Sequence, residues 1–251
     1  MKTLLIKIYH TVKDYKSSLL FNKTFKNDFD SFKFLASKAK ARFDLNWEEI
    51  RPINEKTAQT YFDRHYIYHT SWAARILKQT LPEKHIDISS SLFFSGICSA
   101  FATIEFYDYR PADLILSNLT CKAADLTKLP FQDNSIHSLS CMHTVEHIGL
   151  GRYGDPINPD GDLTAISELK RVLAQGGNLL FVVPLGSVPK LIFNAHRIYS
   201  HEQIMDYFKE LTLIEFTLIP EEFEDGGLIT NPSKELLNKQ NYGCGCYWFK
   251  K

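Results

Sequence analysis

Residues 124–141 read Ala-Asp-Leu-Thr-Lys-Leu-Pro-Phe-Gln-Asp-Asn-Ser-Ile-His-Ser-Leu-Ser-Cys. An aspartate closes one apolar run, Pro130 and the Asp133-Asn134 pair supply turn chemistry, and a second apolar run follows. Downstream, residues 166–184 read Ile-Ser-Glu-Leu-Lys-Arg-Val-Leu-Ala-Gln-Gly-Gly-Asn-Leu-Leu-Phe-Val-Val-Pro. This is an amphipathic helix, a double glycine and a buried strand, with Gly176 and Gly177 expected to cap the helix and turn the chain. The same alternation of short apolar runs with helical patterns extends back to Pro82, which is the sequence form of βαβ units and a parallel sheet. Strands are expected near 85–88, 103–107, 121–124, 136–142, 178–183, 211–218 and 243–249. The last two are too close for a full crossover helix, so the final strand is expected to insert antiparallel at the sheet edge.

Upstream of Pro82 the texture differs. Residues 1–42 hold ten Lys/Arg against three Asp, with Leu, Ile, Tyr and Phe at mixed helical spacing. Two or three short helices are expected there, broken at Asn22, Asn27 and Ser31. A basic, aromatic-rich segment of this kind packs as a lid on the main domain, makes peripheral contact with an anionic membrane, or grips a phosphorylated substrate. A helical pattern resumes over 57–79, so residues 1–56 read as an N-terminal extension and 57–251 as one α/β domain.

Bulk composition fits one well-buried core: 251 residues, 44% apolar and 23% charged. Zero formal net charge gives no global pull toward nucleic acid. Lys7 interrupts the opening apolar run, so no signal peptide is read, and no stretch approaches the roughly 20 apolar residues of a membrane span; a cytoplasmic protein is expected. The five cysteines lack Cys-x-x-Cys spacing and read as buried free thiols.

Two further segments suggest a nucleotide-like ligand. His85-Ile-Asp-Ile-Ser-Ser-Ser91 ends a strand in an acid and continues in small residues, where backbone N–H groups of a doubly wound sheet can approach a ligand. Serines stand where such loops usually have glycine, and they tolerate positive φ poorly. Asp108, at the end of the next strand, lies where such folds place a carboxylate to accept ribose hydroxyls. The alternative is a turn-forming aspartate before Pro111.

With the 124–141 and 166–184 segments, the chain resembles class I S-adenosylmethionine-dependent methyltransferases. The resemblance implies a doubly wound, mostly parallel seven-stranded sheet, S-adenosylmethionine as cofactor, and Asp125 with the following Leu126 backbone holding adenine. Asp87, Ser89, Ser91, Asp108 and His143 complete the expected cofactor site. The stretch Met142-His-Thr-Val-Glu-His-Ile-Gly-Leu-Gly-Arg-Tyr-Gly-Asp-Pro156, together with Phe193-Asn-Ala-His-Arg-Ile-Tyr199, resembles an uncharacterised bacterial methyltransferase-like family associated with surface-polysaccharide gene clusters. Members of that family usually carry glycine where Ser89 stands.

At the end of the fourth strand, His147 is the expected general base toward a hydroxyl or amine acceptor, with Glu146 as its orienting carboxylate. Arg152, Asn194, His196 and Arg197 either bind a small acidic or phosphorylated acceptor, such as a sugar or nucleotide-sugar, or brace loops. Asp155, Asn158, Asp160, Gly161, Asp162 and Glu168 are out of register with a calcium loop, so no metal is expected, and Asp160 or Asp162 is expected to cap a helix starting near Leu163. A non-catalytic partner in glycan synthesis is the competing function. A nicotinamide-dependent oxidoreductase ranks below both, because a second nucleotide-binding half is missing.

Overall fold

In the computed structural model, which describes residues 22–39, 42–53 and 55–251, the chain divides into two units, 1–61 and 62–251. The helices and membrane contact expected over 1–42 lie partly outside the described residues. Within them one helix runs over 22–37, and Asn27 and Ser31 do not break it: the Ser31 hydroxyl donates back to the Asn27 carbonyl at 2.7 Å. That back-bond satisfies the hydroxyl inside the helix rather than competing with it.

Helices and strands are numbered here within the second unit. Its first helix, α1 (Arg64–Thr80), starts later than position 57, because the Asp63 side chain accepts from the Tyr66 N–H and fixes the N-terminus. It ends at Leu81 in the left-handed conformation, immediately before Pro82. His69, Trp72, Ala73, Ile76 and Leu77 form its buried face, the spacing of a helix packed along one side.

The strands β1 (Lys84–Ile88), β2 (Thr103–Asp108), β3 (Leu119–Ala123), β4 (Ile136–Met142), β5 (Leu173–Leu185), β8 (Thr212–Ile219), β9 (Ile229–Thr230) and β10 (Gly243–Lys250) form one sheet in the order β3-β2-β1-β4-β5-β10-β8-β9. The five strands from β3 to β5 are parallel, and β10 runs antiparallel to both of its neighbours. The final strand is therefore not at the edge: it fills the gap between β5 and β8. The short β9 adds an eighth strand, and β6 (Lys190–Ile192) pairs with β7 (His196–Ile198) as a separate ribbon.

Helices cover both faces. One core joins the sheet to α3 (Gly161–Val172) and α4 (His201–Tyr207) through Ala165, Ile166, Leu169 and Ile204. The other joins it to α1 and α2 (Leu92–Cys98) through Trp72, Ile76, Phe94 and Cys98. A last short helix, α5 (Lys234–Lys239), precedes β10. All five cysteines are free, and four are buried. Among the described residues no helix is long and apolar enough to cross a membrane.

Two local expectations are corrected. Asp160 occupies the N-cap of α3 without a side-chain cap bond, and the buried Asp162 instead accepts the Tyr199 hydroxyl at 2.9 Å. Gly176 and Gly177 do not cap α3, which passes into β5 at Leu173; they bend β5 where its register against β4 shifts. Gly176 has φ +74, and a Cβ on Gly177 would meet the Ala174 and Ile136 carbonyl oxygens at 2.8 and 2.9 Å.

The two diagnostic sequence segments are bonded to each other. From α3, Arg171 donates to Asp133 Oδ1 (2.7 Å) and to the carbonyls of Phe131 (2.8 Å) and Leu129 (3.1 Å), while Glu168 accepts the Leu129 N–H (2.7 Å). The Leu-Pro-Phe turn is thereby fastened to the helix, and the loop after β3 is held in place.

Candidate functional site

The parallel strands β1 to β4 all end on one side of the sheet, and the order reverses between β1 and β4, where such sheets bind ligands. At the end of β1, Asp87 is fully buried, and its carboxylate accepts the hydroxyls of Ser95 (2.5 Å) and Ser140 (2.7 Å). Burial, the dominant influence, pushes its pKa up to about 6 against the lowering effect of hydrogen bonds from Ser90, Ser95 and Ser140. Beneath it, His85 bridges Ser138 and Ser140, and burial holds its pKa down near 3.

The serine loop keeps a glycine-like path. Ser89 adopts φ 52, its N–H donates to the Tyr107 carbonyl at 2.7 Å, and its own carbonyl accepts the Thr144 hydroxyl at 2.9 Å. Ser90 Oγ accepts the Met142 N–H at 3.0 Å. The strain of a left-handed serine is thus held by bonds to β2 and to the end of β4.

Beside this loop opens a cavity of about 190 Å³ whose walls include Ser89, Tyr109, Asp125, Leu126, Tyr153 and Asp155. Full ligand pockets usually start near roughly 300 Å³, so it is sized for part of a nucleoside-type ligand. Of the expected cofactor residues, Ser89, Asp125 and Leu126 line it, whereas Asp87, Ser91, Asp108 and His143 do not. Asp108 Oδ1 accepts the Arg110 N–H at 2.7 Å, which is the turn-forming alternative, and Asp125 Oδ1 makes the equivalent turn with the Thr127 N–H at 2.8 Å.

The loop closing the cavity explains much of the 143–156 stretch. Asp155 accepts N–H groups from Gly149 (2.8 Å) and Tyr153 (3.2 Å), and these bonds keep its carboxyl below the usual range despite partial burial. Gly149 has φ +80, and a Cβ there would sit 2.0 Å from the Asn158 carbonyl oxygen. The guanidinium groups of Arg110 and Arg152 lie 4.7 and 5.2 Å from the centre of the Tyr153 ring.

Glu146 is buried, but it serves a different histidine from the one expected. Its Oε1 lies 2.9 Å from His143 Nδ1 and 3.7 Å from His147 Nε2. His147 is oriented by the Ala195 carbonyl, 2.6 Å from Nδ1, and burial lowers its pKa, so it is neutral near pH 7. Arg197 makes the bracing contacts of its second expected role: its guanidinium donates to the carbonyls of Ile148 (2.7 Å) and Pro159 (2.9 Å). Asn194 Nδ2 reaches the Leu150 carbonyl at 3.4 Å, and Arg152 donates to the Ala195 carbonyl at 3.1 Å. His196 lies near His147, with ring centroids 6.4 Å apart, and its Nε2 is buried without a hydrogen-bond partner.

Several site residues escaped sequence reasoning. Tyr109 and Tyr153 line the cavity, Tyr242 packs against His196, and His65, His69 and Cys244 gather around His143. His65 stacks on His143 at 5.3 Å, His69 lies 5.0 Å from it, and Cys244 Sγ lies 3.4 Å from His143 Nε2. Burial lowers the His65 pKa to about 4, and it also holds that of His69 well below the ordinary histidine value. The spacing of His65 and His69, four apart on one helix face, was the available signal.

The parallel core with an antiparallel strand between β5 and β8 and helices on both faces is the class I S-adenosylmethionine-dependent methyltransferase fold. Solved structures with this fold include a putative sarcosine dimethylglycine methyltransferase from Galdieria sulphuraria, similar over 74% of this chain and 86% of its own with 16% identity and a TM-score of 0.52. N-methyltransferase NodS from Bradyrhizobium japonicum, solved with S-adenosyl-L-homocysteine, is similar over 74% of this chain and 86% of its own, at 14% identity and a TM-score of 0.51. At these identities the likeness is one of fold. A family model described as "Caenorhabditis protein of unknown function, DUF268" matches residues 125–218. No curated protein matches the chain in sequence.

Proposed function

We propose that the chain is an S-adenosylmethionine-dependent methyltransferase acting on a hydroxyl or amine of a small acceptor. The observation that carries this is the cavity at the ends of β1 to β4, lined by Ser89, Tyr109, Asp125 and Leu126. Asp125 and the Leu126 backbone would hold adenine, Tyr109 would cover it, and the Ser89 loop would pass against the remainder of the cofactor. The cofactor, when bound, supplies an electrophilic methyl group on a sulfonium. The protein's part is to position the acceptor and receive its proton.

His147 suits the second task. Its Nδ1 lies 2.6 Å from the Ala195 carbonyl oxygen, which only accepts, and 3.2 Å from Arg152 Nη1, which only donates; the shorter contact places the hydrogen on Nδ1 and leaves Nε2 a lone pair. Arg110 and Arg152, both close to the Tyr153 ring, favour an acceptor with negative charge, which accords with a phosphorylated sugar or nucleotide-sugar in polysaccharide synthesis. A cytoplasmic location, with residues 1–42 touching a membrane surface, is compatible with such an acceptor.

A second reading is favoured by the Asp87 carboxylate, sealed among serine hydroxyls rather than facing the cavity. On that reading the fold is retained for binding a partner without catalysis. Titration calorimetry with S-adenosylmethionine and S-adenosylhomocysteine separates the two. Binding that weakens in Asp125→Ala supports the enzyme, and no binding by the folded chain sinks it.

A further inference from the structure

Three separate elements bring soft and borderline donor atoms together beside the candidate active site. His65 comes from the first turn of α1, His143 from the residue after β4, and Cys244 from the second position of β10. One ligand atom from each lies within 4.8 Å of the other two. His143 has φ 55, a conformation uncommon for a non-glycine residue and a frequent mark of functional constraint.

We propose that His65, His143 and Cys244 bind one divalent transition-metal ion of the zinc class, leaving a fourth position for water or an acceptor oxygen. Two imidazoles and a thiolate are a donor set that suits zinc. In a tetrahedral zinc site, donor atoms stand roughly 3.5 Å apart, so closing from 4.8 Å asks for side-chain shifts of about an ångström. His143 is already arranged for ligation. Its Nδ1–H donates to Glu146 Oε1 at 2.9 Å, which turns the bare Nε2 toward Cys244 Sγ at 3.4 Å. A carboxylate behind a ligating histidine is the usual outer-shell support of metal sites.

Unpaired polarity points the same way. Glu146 Oε2 and His69 Nε2 are buried without hydrogen-bond partners, and His69 packs against His143. A buried carboxylate with one oxygen unpartnered favours a positive charge beside it. A dication bound through one thiolate would bring one net positive charge to that place. On binding, the Cys244 S–H proton leaves to solvent as the sulfur–metal bond forms, with no change of oxidation state. The site lies outside the 155–168 acidic loop, and it does not depend on cofactor binding.

The test uses the full chain, stripped with a chelator and titrated with Co2+ alone as the spectroscopic substitute for Zn2+. The expected result is one equivalent bound, a near-ultraviolet thiolate-to-cobalt band, visible bands of four-coordinate intensity, and displacement of all of them by Zn2+. Cys244→Ser should remove the near-ultraviolet band, and His65→Gln, on a half-buried helix face, should weaken binding at least tenfold without loss of circular dichroism. Glu146→Gln should weaken it by roughly ten- to a hundredfold. If the wild-type chain shows no stoichiometric thiolate band at millimolar Co2+, or if His65→Gln binds as tightly as wild type, the proposal is overturned. Calorimetry with S-adenosylhomocysteine on the metal-free chain is independent of these outcomes, so the metal and the methyltransferase proposals can fail separately.

Discussion

Glu146 stands between two imidazoles, 2.9 Å from His143 Nδ1 and 3.7 Å from His147 Nε2, with its side chain almost wholly buried. The shorter contact is a hydrogen bond and the longer is electrostatic only. The acid on the strand-end segment thus anchors His143, and His147 is steered by the Ala195 carbonyl.

Removing that anchor should cost stability in a way that depends on the replacement. Glu146→Ala leaves the His143 N–H buried and unpaired, whereas Glu146→Gln retains an acceptor of the same shape. Urea unfolding should place the alanine variant about 1–3 kcal/mol below the glutamine variant. Equal midpoints and slopes would show that the bond contributes nothing.

Asp87 gives a pH signature. Its folded pKa of about 6 lies above that of a free aspartate, near 3.9, so between pH 4 and 6 the folded chain retains a proton that the unfolded chain has released. Stability therefore falls as pH rises through this window. Asp87→Asn, which stays neutral, should lack this loss and gain on wild type by about 3 kcal/mol between pH 4 and 7. Thermal melts of the two proteins across that range would read the difference, and parallel curves would refute it.

Gly149→Ala should be among the most damaging small substitutions, since the new Cβ would fall 2.0 Å from the Asn158 carbonyl oxygen at a residue with φ +80. A loss of roughly 2–4 kcal/mol is expected from overpacking and the left-handed conformation together. Chemical denaturation tests the size. If S-adenosylhomocysteine binds the native protein, its affinity should fall in the variant, because the loop forms a wall of the cavity.

Ser89→Gly should be nearly silent. Relief of the left-handed serine is worth about 1 kcal/mol, and it is offset by the greater freedom of unfolded glycine and the loss of the hydroxyl bond to the Tyr107 carbonyl. Ser89→Val, by contrast, should cost roughly 2–3 kcal/mol, because a branched side chain resists φ 52. Paired melting temperatures settle both.

The fold was legible because its strongest signals are local and mutually bonded. Arg171 and Glu168 on α3 hold the turn over Leu129 to Asp133, so the helix segment and the turn segment carry one structural requirement between them. The places of β1 to β4 along the chain followed from short apolar runs alternating with helical patterns. The position of β10 was not legible, since an antiparallel strand has the same apolar texture at an edge as between two neighbours. Asn27 was misread because a residue with poor intrinsic helix preference is tolerated when its surroundings favour the helix.

The candidate site was legible only where it follows the chain. Asp125, Leu126 and His147 lie in one stretch bounded by strong strand and turn signals. His65 and Cys244 lie 78 and 101 residues from His143, and only the packing of α1 and β10 against the end of β4 brings them there. Arg197 shows the converse: its charge suggests a ligand, yet the curved loop over 148–159 leaves carbonyls that need a donor.

The place of β10 also governs how the molecule assembles. Because β8 touches the parallel strands only through β10, the outer ribbon of β8 and β9 has no template until β10 docks on β5 across some sixty residues of intervening chain. Docking should be a late event whose rate is set by long-range loop closure, and the thiol of Cys244 would reach the two histidines only in that last step.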